Sequence, residues 1–237
     1  MYRCVALIPA RSGSKRILNK NIKKLNNKPL ISYTIKAAIK SKLFDQIILV
    51  TDSKKYASIG KKCGAKVPFI RSKNISSSKS PDIQWVKWIL KKINFTNCKT
   101  DIFFILRPTS PFRTDKTIKK AWNIFFNNRK KIDSLRAVQL CKEHPGKMWM
   151  VKKNYIIPII KSKIKGTPWH SNQYSALPKI YMQNASLEIS WVKNPLKNNL
   201  IAGNKIIPFY TNNYEGFDIN VIEDWEKAEK LAKKLKI

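Results

Sequence analysis

Short apolar runs alternate with amphipathic stretches through the first 140 residues, and this rhythm restricts the chain to few folds. The apolar runs predict β-strands at 2–9, 46–51, 67–70, 102–106 and 134–140. The stretches between them predict α-helices at 29–41, 53–62, 81–93 and 114–127, with Pro29 and Pro81 in first turns and Thr114 as an N-cap. Alternating strands and helices form parallel sheets, because each helix returns the chain to the same edge. We therefore expect an α/β fold with a mostly parallel sheet and helices on both faces.

The alternation breaks between residues 142 and 180. Four prolines interrupt this stretch, and Trp149, Trp169 and Tyr174 lie among them. Long irregular insertions with aromatic residues often form a lid or a subunit contact. Strands at 179–191 and 205–210 and a helix at 221–235 follow. We therefore expect one domain over 1–237 that carries an irregular extension over 142–180.

The chain is strongly basic, with 48 Lys and Arg residues against 14 Asp and Glu residues and a formal net charge of +34. Such a charge is compatible with a nucleic-acid partner. However, only eight of the basic residues are arginines, and the lysines are spread along the chain. A solvated lysine-rich surface is therefore the preferred interpretation, and we expect no specific nucleic-acid partner.

Cysteine spacing and hydropathy indicate the cellular setting. Cys4, Cys63, Cys98 and Cys141 are far apart and form no metal-binding or disulfide pattern. The N-terminal apolar run is too short for a signal peptide, and no window reaches the roughly 20 apolar residues of a membrane span. These features predict free thiols in a cytoplasmic protein that does not associate with a membrane.

The segment IPARSGSKRILNKN, residues 8–21, follows the first predicted strand and concentrates cations and small hydrogen-bond donors. Ligands of parallel sheets bind at the carboxyl ends of strands. Gly13 permits close backbone approach, Ser12 and Ser14 offer donors, and Arg11, Lys15 and Lys20 supply charge for a triphosphate. The spacing matches neither a Walker A loop nor G-x-G-x-x-G. The alternative is a solvated surface loop.

Two further segments carry candidate site residues. In ILRPTSPFR, residues 105–113, two prolines stiffen a turn that presents Thr109 and Ser110 between Arg107 and Arg113. The alternative is a rigid connector. In EGFDINVIEDW, residues 215–225, Asp218 is a carboxylate in an acid-poor chain and a candidate Mg²⁺ ligand. The alternative for this segment is an acid that caps a helix, which fits Glu223 and Asp224 better.

Together these three segments resemble the acylneuraminate cytidylyltransferase family, which contains the CMP-sialic acid synthetases. The family pattern A-R-x-G-S-K-x-[IL]-x-x-K-N matches Ala10, Arg11, Gly13, Ser14, Lys15, Ile17, Lys20 and Asn21. The [QR]-P-T-S-P-[LF]-R motif matches 107–113, and the closing D-I-D/N segment before E-D-W matches 218–225. The resemblance covers nearly the whole chain.

The resemblance implies a Rossmann-like nucleotidyltransferase that makes a CMP-sugar acid from CTP and a nine-carbon 2-keto sugar acid, with release of pyrophosphate. It implies that Lys20, Arg11 and Asp218 are catalytic and that Asp218 binds Mg²⁺. It assigns nucleotide binding to Arg11, Ser14, Lys15, Lys20, Asn21 and Arg71, of which Arg71 would read the cytosine. It assigns substrate binding to Arg107, Thr109, Ser110, Gln183 and Asn184. It also makes 142–180 a dimerisation extension, and hence predicts a homodimer.

The chain departs from the family pattern at several positions. Asn220 replaces a second aspartate, Ser78 stands where an aspartate often occurs, and Arg107 replaces the commoner glutamine. Two alternatives therefore stay open for the acceptor and the function. The acceptor could be a pseudaminic, legionaminic or ketodeoxyoctonic-type acid, or the chain could be a polyanion-binding module without catalysis.

Overall fold

A six-stranded sheet forms the centre of the computed structural model, which describes residues 2–237. The β-strands are β1 (Arg3–Pro9), β2 (Lys24–Leu25), β3 (Lys28–Pro29), β4 (Gln46–Val50), β5 (Asp101–Ile105), β6 (Ser134–Leu140), β7 (Trp149–Lys152), β8 (Tyr155–Pro158), β9 (Lys163–Ile164), β10 (Thr167–Pro168), β11 (Tyr181–Trp191) and β12 (Ile206–Tyr210). The α-helices are α1 (Leu30–Ser41), α2 (Lys54–Lys62), α3 (Asp82–Lys92), α4 (Asp115–Asn128), α5 (Lys193–Lys197) and α6 (Ile222–Lys234).

The strand order in the sheet is β12-β6-β11-β5-β1-β4. Strand β1 pairs in parallel with both β4 and β5, whereas β11 runs antiparallel to β5. The sheet is therefore mixed, with a parallel centre. The carboxyl ends of β1, β4 and β5 lie at one edge, and the turns that follow them can form a common site.

Both faces of the sheet are buried under helices, as the alternation of apolar runs predicted. In β1, Cys4, Ala6 and Ile8 belong to a core with α1, α2 and α4. Val5 and Leu7 point to the opposite face and pack with α3. A strand that is buried on both faces has to be apolar at successive positions, which explains the continuous run CVALI. The α/β fold with helices on both faces is thus confirmed.

Local sequence sets where the helices begin. The Ser53 side chain accepts a hydrogen bond from the Tyr56 amide at the start of α2. Thr114 and Thr117 form a reciprocal capping box at the start of α4, so the predicted N-cap is confirmed. Pro29 and Pro81 immediately precede α1 and α3. Each predicted helix starts within one residue of its expected position.

The predicted strand at 67–70 is wrong. Lys66 makes a single bridge to Ile48, and the chain then leaves the sheet. Pro68 has no N–H to donate to a ladder, while the Phe69 and Ile70 side chains are exposed. The apolar run is therefore a loop that delivers Arg71 to the sheet edge, where its amide donates to the Thr51 carbonyl.

The chain divides into two compact units. The first comprises the residues up to Ala137 together with Asn184–Ile237, and the second is Val138–Gln183. The second unit contains the hairpins β7–β8 and β9–β10 and three 3₁₀ turns, so the stretch expected to be irregular holds regular structure. None of the helices within residues 2–237 combines the length and hydropathy that a bilayer-spanning segment needs.

Candidate active site

The turn after β1 is anchored by an acid that the sequence analysis did not single out. Asp52 follows β4, and its carboxylate accepts hydrogen bonds from the Ser12 amide at 2.8 Å and from the Ser12 hydroxyl at 3.1 Å. The Ser14 amide in turn donates to the Ser12 carbonyl. These bonds hold the cationic turn against the neighbouring strand. The only signal in the sequence was an acid placed directly after an apolar run.

Asn21 and Asn19 shape the end of the same segment. The buried Asn21 amide donates to the Arg11 carbonyl at 3.1 Å. Asn19 adopts a left-handed conformation with φ 53°, which asparagine tolerates better than most residues, and accepts a hydrogen bond from the Tyr56 hydroxyl. Asn21 thereby ties the end of the segment back to Arg11, and Asn19 ties it to α2.

Lys20 connects the N-terminal segment to the far end of the chain. Its ammonium donates to the Ile219 carbonyl at 2.6 Å. Burial lowers the pKa of Lys20, the nearby Asp218 carboxylate partly opposes this effect, and Arg16 and Arg11 lower the pKa further. Lys20 and Asp218 are thus brought together, although 198 positions separate them in the sequence.

One carboxylate oxygen of Asp218 accepts a hydrogen bond, and the other has no partner among the described residues. Its Oδ2 accepts a hydrogen bond from the Asn220 amide at 2.6 Å. Its Oδ1 is buried and has no hydrogen-bond partner within residues 2–237. An unpaired buried carboxylate oxygen is costly unless a cation or donor binds it. The Asn220 carbonyl oxygen accepts from Arg16 at 3.4 Å, so Asn220 links Asp218 to a further cation.

The turn after β5 meets the Asp218 segment through the backbone. The Thr109 carbonyl accepts a hydrogen bond from the Ile219 amide at 2.9 Å. The buried Arg113 guanidinium donates to the Thr34 hydroxyl at 2.7 Å and to the Ser186 carbonyl. Burial lowers the pKa of Arg113 to about 9. Arg113 therefore ties the end of this turn to α1 and β11.

Arg107 is held by two carboxylates. Its guanidinium contacts Asp82 at 2.6 Å and Glu188 at 3.2 Å, and Glu188 also pairs with Arg136 at 3.0 Å. Burial alone would lower the pKa of Arg107, but Asp82 and Glu188 outweigh it and the net direction is upward. Burial would raise the pKa of Asp82. The charge of Arg107 and hydrogen bonds from Trp85 and Arg107 outweigh burial, so the pKa of Asp82 is lowered. The positive charge of Arg107 is thus compensated.

Arg71 is buried, and its Nε donates to the Ser76 hydroxyl at 2.9 Å. Burial lowers the pKa of Arg71, while Asp52 and Asp82 act in the opposite direction and Arg11 lowers it further. A guanidinium that is fixed in this way keeps a defined orientation toward the cavity described next.

These segments line a cavity of about 580 Å³, and all of its lining residues come from the first unit. It brings together Arg11, Ser14, Lys15, Lys20, Asn21, Arg71, Arg107, Thr109 and Asp218, all of which the sequence analysis assigned to the site. Its other lining residues include Arg16, Ser77, Ser80, Asp82 and Trp85, which the sequence analysis did not assign, and Ser78 and Asn220, which it named only as departures from the family pattern. These additional residues lie in loops or at a helix start, and no apolar periodicity marks such positions.

Three predicted substrate residues, Ser110, Gln183 and Asn184, do not line the cavity. Ser110 is fully buried, and its hydroxyl has no hydrogen-bond partner within the described residues. Asn184 is buried in β11, where its amide donates to the Thr211 hydroxyl at 2.8 Å and its oxygen accepts from the Ser186 amide. The structure gives no support for a substrate contact by either. Gln183 is exposed in the second unit, and its role stays a prediction.

The charges that line the cavity are suited to a polyphosphate. It combines five cationic side chains from the N-terminal segment and its neighbour loop (Arg11, Lys15, Arg16, Lys20 and Arg71) with the partly unpaired Asp218. Its position at the carboxyl edge of a parallel sheet centre is the usual place for a nucleotide. The fold and the site together are typical of a nucleotide-binding protein of the Rossmann-like α/β class.

Comparison with known proteins agrees with this class. The sequence profile of the cytidylyltransferase family matches residues 5–236. The chain therefore belongs to the cytidylyltransferase family, and it is a nucleotidyltransferase enzyme.

Named relatives extend over all or part of the chain. The CMP-N,N'-diacetyllegionaminic acid synthase of Legionella pneumophila is 32% identical over 97% of this chain and 96% of its own length. The N-acylneuraminate cytidylyltransferase of Escherichia coli is 37% identical, but over 52% of this chain and 28% of its own length. Among solved structures, a CMP:2-keto-3-deoxy-manno-octonic acid synthetase complexed with CTP has a TM-score of 0.70 at 15% identity and covers 98% of this chain and 99% of its own. That last likeness shows the fold.

Proposed function

We propose that this enzyme transfers CMP from CTP to a nine-carbon 2-keto sugar acid and releases pyrophosphate. The observation that carries the proposal is the meeting of Lys20 and Asp218 in one cavity. A binding module without catalysis would need the cations but would have no use for a buried carboxylate among them.

In the proposed reaction, the anomeric hydroxyl oxygen of the sugar acid attacks the α-phosphorus of CTP. The bond from that phosphorus to the α–β bridging oxygen breaks, the hydroxyl proton leaves to solvent, and pyrophosphate departs with the bonding electrons. Such reactions are accelerated mainly by positioning and charge neutralisation. Lys20 and Arg11 would neutralise the phosphates, the Ser14 and Asn21 region would orient them, and Arg71 would contact the base.

We propose Asp218 as the protein ligand for Mg²⁺. Its buried, unpaired Oδ1 fits a hard cation that prefers oxygen ligands. Within residues 2–237 no group of three or more His, Cys, Asp or Glu side chains could hold a metal, which fits an ion bound largely through substrate phosphates and water. When bound, Mg²⁺ would supply neutralisation of phosphate charge.

We propose a legionaminic-type acid as the first acceptor to test, and a sialic acid as the second. The legionaminic synthase aligns over almost the entire chain, whereas the sialic acid enzyme aligns over about half of it. Acceptor selectivity depends on the complete site, so an alignment over the full length is the better guide.

A panel of reactions tests the function. The enzyme is incubated with each nucleoside triphosphate and with legionaminic, sialic, pseudaminic and ketodeoxyoctonic acids, and pyrophosphate release is followed. Among the nucleoside triphosphates, we expect only CTP to support turnover. Among the sugar acids, we expect the legionaminic acid to react fastest. If none of the acids is turned over and the protein binds DNA tightly and in a salt-sensitive way, the binding module would be favoured.

The metal proposal is tested by Asp218→Asn. We expect Mn²⁺ binding to the CTP complex, followed by electron paramagnetic resonance, to weaken by about tenfold or more, because an amide oxygen carries no charge for the cation. Asp115→Asn removes an acid that pairs with Lys119 on α4 and serves as the matched control. Equal Mn²⁺ affinity in the two variants would remove Asp218 from the metal site.

We also propose that the hairpin β7–β8 of the second unit forms a homodimer contact. Val151 and Ile156 pair across it and are 75% and 59% exposed, and the neighbouring Tyr155 is 77% exposed. An isolated two-stranded hairpin is marginal in water, and apolar exposure of this extent marks an interaction surface. Val151→Lys with Ile156→Lys should convert a dimer to a monomer in sedimentation, and an unchanged mass would contradict the proposal.

A further inference from the structure

A second cavity lies at the opposite edge of the sheet from the first cavity, which holds Lys20 and Asp218 and is the proposed CTP site. It has a volume of about 530 Å³ and shares no lining residue with the first. Cys98 and Lys99 line it just before β5 begins, and Trp191 lines it where the antiparallel β11 ends beside Ile102. This places the second cavity at the amino end of β5, whereas Arg107 lies at the carboxyl end.

The lining of this amino-edge cavity is strongly cationic. It contains six basic side chains and a single acid, Asp133; the basic residues are Lys99, Arg129, Lys130, Lys131, Lys193 and Lys205. On an ordinary lysine-rich surface, such side chains would lie apart from one another and point into solvent. Here they line one open cavity, so their fields add within it.

The one acid in this cavity is already satisfied by the protein. The Asp133 carboxylate accepts hydrogen bonds from the Asn204 and Lys205 amides, both at 3.0 Å, and contacts the Lys193 ammonium at 3.3 Å. The Lys205 amide in particular holds the pKa of Asp133 below its usual value against the effect of burial. Gly203, with φ 72°, permits this approach, because a Cβ there would lie 2.5 Å from the Asp133 Cβ. The Asp133 oxygens are therefore engaged within the protein, and among the described residues Asp133 forms an ion pair with Lys193 and with no other cation of the cavity.

Arg129 is fixed in place before any ligand arrives. Its guanidinium carbon lies 3.9 Å from the centre of the Phe126 ring and 5.4 Å from that of Tyr2. It also donates to the Phe126 carbonyl at 2.7 Å and to the Tyr2 hydroxyl at 3.3 Å. A guanidinium held this way loses little entropy when it binds an anion.

We propose that this amino-edge cavity is a second anion site that binds a compact polyphosphate, separate from the CTP site. The charge balance leaves five cations in it without an ion pair among the described residues, namely Lys99, Arg129, Lys130, Lys131 and Lys205. Its volume lies within the roughly 300–1,000 Å³ of small-ligand pockets. A nucleic-acid strand would instead need a track of cations that extends beyond this cavity.

The test uses inorganic tripolyphosphate as the probe and calorimetry of the full chain. We expect two binding sites per chain. The triple variant Lys99→Gln, Lys130→Gln, Lys131→Gln should lose at least about tenfold in affinity at the second site while it keeps the first. The matched control, Lys230→Gln, Lys233→Gln, Lys234→Gln on α6, removes the same charge away from both cavities and should bind as the parent does.

A footprint on the parent protein locates the site directly. Lysine acetylation is followed by mass spectrometry with and without tripolyphosphate, and protection is expected at Lys99, Lys130, Lys131 and Lys205 but not at Lys230 or Lys234. One site in calorimetry, equal loss in both triple variants, or protection by a DNA oligonucleotide but not by tripolyphosphate would overturn the proposal. None of these readouts depends on the sugar acceptor.

Discussion

At the scale of single residues, Lys20 illustrates how a buried cation is prepared for an anionic ligand. Burial favours the neutral amine of Lys20. The Asp218 carboxylate stabilises the charged form, but by less than burial destabilises it. A triphosphate placed beside the ammonium would supply the missing counter-charge. The ligand therefore gains more from Lys20 than from an exposed lysine, whose charge is already solvated by water.

This arrangement predicts proton uptake on nucleotide binding at alkaline pH. The pKa of Lys20 in the free protein is lowered, so part of the population is neutral there, and the bound triphosphate raises the pKa again. Calorimetry of CTP binding in buffers of different ionisation enthalpy measures this uptake. At pH values well below the free pKa the amine is already protonated, and uptake by Lys20 should vanish.

Two variants identify the source of the proton. Lys20→Met should abolish the alkaline uptake, whereas Lys15→Met removes a charge from the same cavity and leaves Lys20 in place. Uptake that survives in Lys20→Met would show that another group titrates.

At the scale of elements, helix α2 can pack close to strand β4 because Gly60 has no side chain. A Cβ at Gly60 would lie 2.3 Å from Leu49 Cδ2, and Leu49 is buried in the core. Glycine inside a helix costs about 1 kcal/mol relative to alanine. Close packing of α2 on β4 offsets that cost, and the same packing orients the Asp52 turn between the two elements.

Gly60→Ala should therefore destabilise the fold despite its better helix propensity. Overpacking of a tight core costs about 1–3 kcal/mol, against a propensity gain of about 1 kcal/mol, so we expect a net loss of up to about 2 kcal/mol in urea unfolding. Gly13→Ala is the control, because its Cβ would meet only Arg11 Nη1 at 3.7 Å, which is an ordinary contact. Greater stability of Gly60→Ala would mean that Leu49 rotates freely out of the way.

At the scale of the whole molecule, the net charge of +34 opposes compaction. Fourteen acids cannot neutralise 48 bases, and the acids that are buried, such as Glu188 and Asp101, are used in local pairs with Arg136 and Arg3. The remaining lysines repel one another more strongly in the folded chain than in the expanded one.

Added salt should accordingly raise the stability of the protein. At about 0.15 M ionic strength the screening length falls to about 8 Å, which weakens repulsion between surface lysines more than it weakens the buried pairs. We expect the thermal unfolding midpoint to rise between low salt and this value, and to rise equally with NaCl and KCl. A midpoint that falls with salt would show that native ion pairs outweigh the repulsion.

Much of the fold and of the first cavity could be predicted because their signals are local. Helix starts follow from caps such as Thr114, and β1 is recognisable as a continuous apolar run. The three motifs also predicted the meeting of Lys20 and Asp218. The run at 67–70 misled because hydropathy does not show whether a partner strand is present, and Pro68 prevents one.

The amino-acid sequence by itself determined the α/β layering and the chemistry available to the site, since apolar periodicity and side-chain type are properties of single segments. Tertiary structure alone decided which side chains face the cavity. Ser110 and Asn184 turned inward, whereas Arg16 and Asp82 joined the lining. The reason is that a turn's side chains point where distant anchors such as Asp52 and Arg113 hold its backbone, and those hydrogen bonds join residues far apart in the chain.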